Sequence, residues 1–355
     1  MQKLLDFAAV DVDSGRLPSC QLALARYGEL LAYESFGAAL PTSRYVVFSV
    51  TKGLMAALAW QVISDGLLSD RTRVAEVSPA FADKPTVTVE NLLTHTAGFP
   101  RAPIRAEDGA TAEGRARRFA SWRLDWEPGT RTQYHTVAAH WVLADVIERV
   151  TGTDYRLAMQ QRVLDPMGLE AVRLGVPQAE QGNVLPLHVV AGTPDPDMVV
   201  PVQVSPELTT MFDDPRVREI GVPGAGAVST AADIALFYQG LLHDKVGIFD
   251  PLVLQDGTSR VRFAHLDPLT GVPANRTLGM TVAGDDGKSA MREFGKDAGP
   301  RAFGASGLGG QVAWADPDSG LSVCYLTNGM ETDLITSFIR SNRVSTLAAR
   351  CRNVP

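Results

Sequence analysis

A mixed α/β (α+β) fold is what this sequence predicts, on three observations. Strand signals lie at both ends of the chain, the middle is helical, and one strongly apolar helix starts near Ser49. The length of 355 residues suffices for a large core and for two subdomains that share one cleft.

In chain order, residues 20–37 read as two alternating strands with Tyr27-Gly28-Glu29 as the hairpin turn. Residues 44–48 lead into a helix that begins about Ser49 and carries Leu54, Leu58, Val62 and Ile63 to a break at Asp65-Gly66. That helix is apolar on most sides, so it belongs at the centre of the molecule. Residues 70–170 are mostly helix and loop. Thr88 caps a short helix that Thr96-Ala97-Gly98-Phe99-Pro100 stops. Residues 100–118, rich in charge, alanine and glycine, read as an exposed excursion. Trp126-Glu127-Pro128-Gly129-Thr130 is a turn; Tyr134 and a helix from about Val137 to Arg149 follow it. Prolines at 177, 186, 194, 196, 201, 206, 215 and 223 predict an irregular stretch from 175 to 225, functional or disordered and not scaffold. A further helix opens at Ala231-Ala232-Asp233. Strand-like pieces at 278–283, 302–304, 311–315 and 321–327 and a terminal helix at about 332–349 complete the chain.

Composition removes several classes of function. Hydrophobic residues make up 45% and charged ones 21%, a soluble globular balance. The net charge is −7 and no lysine/arginine block occurs, which argues against a nucleic-acid or membrane-surface partner. The first residues lack the basic and apolar regions of a secretion signal, and no apolar run reaches membrane-spanning length. Cys20, Cys324 and Cys351 show neither a CxxC nor a metal spacing and read as thiols of a reducing compartment. The six histidines show no metal spacing either. A cytoplasmic protein with no cofactor and no metal is therefore expected, as a monomer or a homo-oligomer.

Chemistry concentrates in three stretches. Ser49 and Lys52 are one helical turn apart in Ser49-Val50-Thr51-Lys52, so hydroxyl and amine lie on one face. A capped helix start looks the same, but a lysine inside an apolar helix must be paired or neutral, and desolvation lowers its pKa toward that of a useful base. Tyr134, after the Pro128-Gly129 turn, is either a proton relay or a core aromatic. Phe303-Gly304-Ala305-Ser306-Gly307-Leu308-Gly309-Gly310 reads as a small-residue edge strand that admits a substrate or presents a backbone N–H to an oxyanion; a tight turn is the plainer reading. Trp122 and Trp126 are either acyl-pocket walls or core. No Gly-x-Ser-x-Gly elbow is present, and Gly287-Lys288-Ser289 lacks the first glycine of a P-loop.

In this order the three stretches resemble the signature of the serine β-lactamase / penicillin-binding-protein superfamily, in particular its class C-like esterase branch. Ser49-Val50-Thr51-Lys52 is similar to its Ser-x-x-Lys, Tyr134-His135-Thr136 to its Tyr-x-Asn, and Ala305-Ser306-Gly307 to its Lys/His-Thr/Ser-Gly. Leu92–Gly98, Glu127-Pro128-Gly129-Thr130, Gly224–Asp233 and Asp316–Leu321 look like the family too, so the resemblance covers about residues 20–330. It implies an antiparallel sheet flanked by helices, formed by 1–70 and 225–355, with a mostly helical insertion at 71–224 and the active site between the two. It further implies catalysis by Ser49, Lys52 and Tyr134. The oxyanion and substrate side falls to the N–H groups of Ser49 and Leu308, with Ser306, Gly307, His135 and Trp126. Thr136 and Ala305 stand where the family carries an amide and a cation. These departures favour a small carboxylic ester over a penicillin, with His135 as a candidate replacement for the lost polarity. Acyl transfer, amide or D-amino-acid peptide cleavage by the same serine, and a weakened binding protein are the alternatives.

Overall fold

The computed structural model describes residues 1–190, 206–331 and 333–353. Pro194, Pro196 and Pro201 of the expected irregular stretch lie outside the described residues.

Among the described residues there are short and long strands: β1 Ser19–Arg26, β2 Glu29–Gly37, β3 Tyr45–Val46, β4 Arg173–Leu174 and β5 His188–Val190. They continue as β6 Ala227–Ser229, β7 Thr281–Val282, β8 Phe303–Gly304, β9 Val312–Asp316, β10 Leu321–Thr327 and β11 Gly329–Glu331. The main sheet runs β2-β1-β10-β9-β8-β7, with every neighbouring pair antiparallel. The fold is the β-lactamase/transpeptidase-like one, an antiparallel sheet flanked by helices.

Strand β1 shows why this sheet sits in the middle. All eight of its residues are buried, and its side chains alternate between two cores, as a period of two requires. Leu22 and Leu24 join Leu4 and Ala8 of the N-terminal helix and Val344 and Leu347 of the C-terminal helix Leu334–Ala349. Ala23 and Ala25 face the other way, toward the core that holds Ile234 and Phe237 of helix Ala231–His243. The hairpin turn is a two-residue one, with Tyr27 at φ 56° and Gly28 at φ 86°, the doubly positive pattern that suits strand twist.

The buried helix runs from Thr51 to Ser64 after a single 3₁₀ turn at Phe48–Val50. Its residues from Thr51 through Val62 are all buried, which matches a helix apolar on most sides. Helices Val89–Leu93 and Ala138–Thr151 pack nearby, the first capped by Thr88 Oγ1, which accepts from Asn91 N–H at 3.2 Å. A small sheet β3-β6-β4 ties the start of the buried helix to the later chain.

Some expectations change. Residues 100–118 are largely exposed or half-buried, as expected, but they are not irregular: helices Ala106–Gly109 and Ala112–Ser121 lie there, and Arg115 is buried. Arg115 Nε donates to Asp145 at 3.1 Å and its other end meets Glu148. Composition hid those ion partners because they lie on a distant helix. The N-terminal segment 2–13 forms a helix that the sequence reading left unassigned. Strand β8 lies one in from the edge, since the two-residue β7 covers it. The proline-rich stretch holds β5, paired in parallel with β11, and helices Pro206–Met211 and Pro215–Ile220. Among the described residues no helix is long and apolar enough to cross a membrane.

Candidate active site

Ser49 sits in the turn that opens the buried helix, where unpaired N–H groups gather. The residue before it, Phe48, has φ 45°, a strained value for a bulky side chain. Lys52, one turn on, is 4% exposed. Its Nζ donates to Ser49 Oγ at 3.0 Å and to the Gly224 carbonyl at 2.7 Å. Tyr134 Oη donates to the same Ser49 Oγ at 2.6 Å, and the Lys52 ammonium lies 4.8 Å from the Tyr134 ring centroid. Two side chains, one from the next helical turn and one from a distant part of the chain, thus converge on one oxygen. Burial, opposed by Tyr134 and helped by the Arg276 charge, holds the Lys52 amine below the usual lysine range.

Two segments grip this turn. Gly224–Ser229 does so from one side: Val47 N–H donates to the Ala227 carbonyl at 2.9 Å and Ala227 N–H to Thr51 Oγ1 at 3.1 Å. This gives Thr51, between the serine and the lysine, a structural task. From the other side comes the third stretch. A Cβ on Gly307 would lie 2.6 Å from the Val47 carbonyl oxygen, so glycine alone permits this approach two residues before Ser49. Gly53 serves the same end inside the helix, where a Cβ would stand 3.2 Å from Tyr238 Oη and 3.8 Å from the Ala305 methyl. Tyr238 Oη in turn accepts from Ala305 N–H at 3.1 Å. Neither Ser49 N–H nor Leu308 N–H donates to a protein acceptor among the described residues.

The remaining sequence candidates have other surroundings. Ser306 hydrogen-bonds the Glu293 carboxyl, whose pKa burial raises. His135 is fully buried. Its Nδ1–H donates to the Gln133 carbonyl at 2.7 Å and its Nε2 accepts from Phe99 N–H at 3.2 Å. Both ring nitrogens are committed to backbone, so the ring has no atom left to replace the family's amide at Thr136, which is exposed. Trp122 is core, stacked on Phe99 at 5.4 Å. Trp126 is half-buried, edge-on to His135 at 6.4 Å, and its Nε1 has no partner among the described residues.

The sequence reading missed the support of Tyr134. His95, with φ 59°, holds its ring 4.8 Å from that of Tyr134, tilted by 45°, and accepts from His135 N–H through Nδ1 at 3.2 Å. Its carbonyl accepts from Gln133 N–H at 3.2 Å. The only signal was its place in the Leu92–Gly98 stretch, just before the residues that stop the helix.

Burial keeps His95, His135 and His140 neutral, with the His135 pKa lowered to about 4 from 6.5. An unfolded chain protonates these imidazoles as pH falls through 6.5, while the folded one resists. Their contribution is complete above pH 6.5 and is lost as pH drops toward 4, worth about 3 kcal/mol for His135 alone. The expected result is a stability that declines across this window. His135→Gln, which keeps a donor and an acceptor, removes one proton from the uptake on unfolding. Parallel curves for the two proteins in denaturant titrations at pH 7, 6 and 5 would overturn this.

The sheet, the buried helix and the Ser-x-x-Lys at its start define the class: a β-lactamase/transpeptidase-like protein with a serine, a lysine and a tyrosine converging in one place. Comparison with known proteins gives the family. A sequence model of the Beta-lactamase family matches residues 5–339, and the chain belongs to that family. Esterase EstB of Burkholderia gladioli is 28% identical over 352 residues, covering 88% of this chain and 86% of its own. Esterase/beta-lactamase LipL of Mycobacterium tuberculosis is 24% identical, covering 82% and 70%. The crystal structure of a family VIII carboxylesterase superposes with a TM-score of 0.79 at 25% identity, covering 99% of this chain and 97% of the other.

Proposed function

We propose that the protein is a serine hydrolase that cleaves carboxylic esters through an acyl-enzyme on Ser49. The observation that carries this reading is the convergence of Lys52 Nζ and Tyr134 Oη on Ser49 Oγ, at 3.0 and 2.6 Å. The pair, in its proton-deficient form, takes the Ser49 proton as Oγ attacks the ester carbonyl, and delivers it to the departing alcohol. The N–H groups of Ser49 and Leu308 receive the developing oxyanion, which the positive end of the helix also favours. Water then enters on the path the alcohol left and the same groups reverse their roles.

Names of relatives support an ester substrate: EstB is called an esterase and LipL an esterase/beta-lactamase. So does Ala305, which offers no cation at the third motif. A cytoplasmic location belongs to this reading, with the three cysteines as buried thiols. The test is a panel of p-nitrophenyl esters of graded acyl length run beside a chromogenic cephalosporin. Turnover of the short esters well above that of the cephalosporin is expected. A cephalosporin hydrolysed as fast as the best ester would overturn the preference.

A further inference from the structure

The loop that joins β8 to β9 carries Leu308, the proposed oxyanion donor. Two backbone bonds close its base: Gly307 N–H donates to the Gln311 carbonyl at 3.0 Å, and Gln311 N–H to the Gly307 carbonyl at 3.1 Å. Gln311 is fully buried and clamps that base to β10. Its amide donates to the Thr327 carbonyl at 2.7 Å and accepts from Thr327 N–H at 2.9 Å. Leu308, Gly309 and Gly310 are left at the tip, and both glycines lie in the left-handed region, at φ 80° and 81°. None of the three N–H groups meets a protein acceptor among the described residues.

A side chain from outside the loop holds this tip. Arg340, in the second turn of the C-terminal helix, is 4% exposed, and its Nη2 donates to the Gly309 carbonyl at 2.8 Å. A Cβ on Gly310 would stand 2.9 Å from the same Nη2 and 3.1 Å from the Ser337 carbonyl, so only glycine lets the helix come this close. Arg340 Nη1 pairs with Glu331 of β11 and lies 4.0 Å from Asp11 of the N-terminal helix, which also holds Arg16 at 2.9 Å. Stability alone does not call for this cluster. Arg340 Nε and Glu331 Oε2 are buried with no partner among the described residues, and well-packed apolar side chains stabilise such a contact as well or better. What apolar side chains cannot do is hold a carbonyl. A peptide unit is planar, so a bond to its oxygen also fixes the N–H across the plane. The Gly307 carbonyl shares its plane with Leu308 N–H and is held by Gln311, while Arg340 holds the plane two further on. Leu308 is thus anchored from both sides.

We propose that Arg340 is a positioning residue for the oxyanion site: through the Gly309 carbonyl it fixes the tip of this loop, so that Leu308 N–H points at the tetrahedral oxygen. This rests on Leu308 N–H as an oxyanion donor and extends its support to both terminal helices. No hydrogen bond joins Arg340 to Ser49, Lys52 or Tyr134, so its influence reaches the transition state only through the loop.

The experiment compares the wild type with Arg340→Lys and with the paired variant Arg340→Gln/Glu331→Gln, which leaves no unpaired buried charge. Thermal unfolding checks the fold. Turnover of p-nitrophenyl acetate is measured beside inhibition by phenylboronic acid and by 4-nitroacetanilide. Ser49 Oγ adds to the boron, its proton passing to the Lys52/Tyr134 pair, and the tetrahedral adduct puts an oxygen where the oxyanion forms; the anilide is planar, like the ground state. The paired variant is expected to lose about 10- to 100-fold in kcat/KM, carried by kcat. Its boronate Ki should rise by the same factor and its anilide Ki by less than about threefold. Arg340→Lys keeps the charge beside Glu331 but lacks the second nitrogen of the fork, so it should fall between, and it decides the matter alone if the paired variant does not fold. A folded variant within about threefold of the wild type, or a boronate and an anilide weakened equally, overturns the proposal. Hydrogen exchange of wild-type residues 303–312 separates the two possible failures, because the boronate is expected to slow it. No slowing removes Leu308 as the donor; slowing with unaffected variants refutes Arg340 alone.

Discussion

Ser49→Ala is expected to lower kcat/KM for p-nitrophenyl acetate by at least about 10³-fold while the protein stays folded. Loss of the hydroxyl removes the atom on which Lys52 Nζ and Tyr134 Oη converge, so the remaining groups have nothing to activate. Folding is expected to survive because the buried helix is anchored elsewhere. Thr51 Oγ1 holds Ala227, the Gly224 carbonyl still accepts from Lys52, and the helix side chains from Thr51 to Val62 stay buried. Stopped-flow hydrolysis and circular dichroism on the same preparation check both parts. Turnover retained within tenfold of the wild type would sink the assignment of Ser49.

Lys52→Met is the second large effect, with an expected loss in kcat of at least about 10²- to 10⁴-fold, the range of a general base. Methionine matches the length of the lysine stem and leaves no unpaired charge at a position where the native side chain is buried. The wild-type pH profile supplies the sign. Burial and the Arg276 charge push the Lys52 amine below its ordinary 10.5, although Tyr134 opposes them. The base is competent once it has lost its proton, so kcat/KM is expected to rise with pH along a limb that lies below pH 10.5. His95, His135 and His140, all neutral, contribute no such limb. A profile whose rising limb survives Lys52→Met unchanged would assign the base to another group.

Much of this architecture was legible because local patterns carried it. The β1-β2 hairpin announced itself through Tyr27-Gly28, and the buried helix through an apolar run too wide for one face. Ser49, Lys52 and Tyr134 could be picked out because their residue types and order resemble a family signature, which local periodicity does not encode. What stayed hidden depends on contacts between distant segments. Arg115 looked like surface charge until Asp145 and Glu148 met it from another helix. His135 looked available beside Tyr134, yet its two nitrogens are taken by Gln133 and Phe99.

The most direct measurement is the mass of the intact protein and of its Ser49 peptide after brief mixing with a p-nitrophenyl ester and acid quench. The predicted result is an increment equal to one acyl group on the peptide that contains Ser49, with a matching burst of p-nitrophenol and no adduct in Ser49→Ala. Rapid hydrolysis with a single-turnover burst whose acyl group lies on any other peptide would contradict the account.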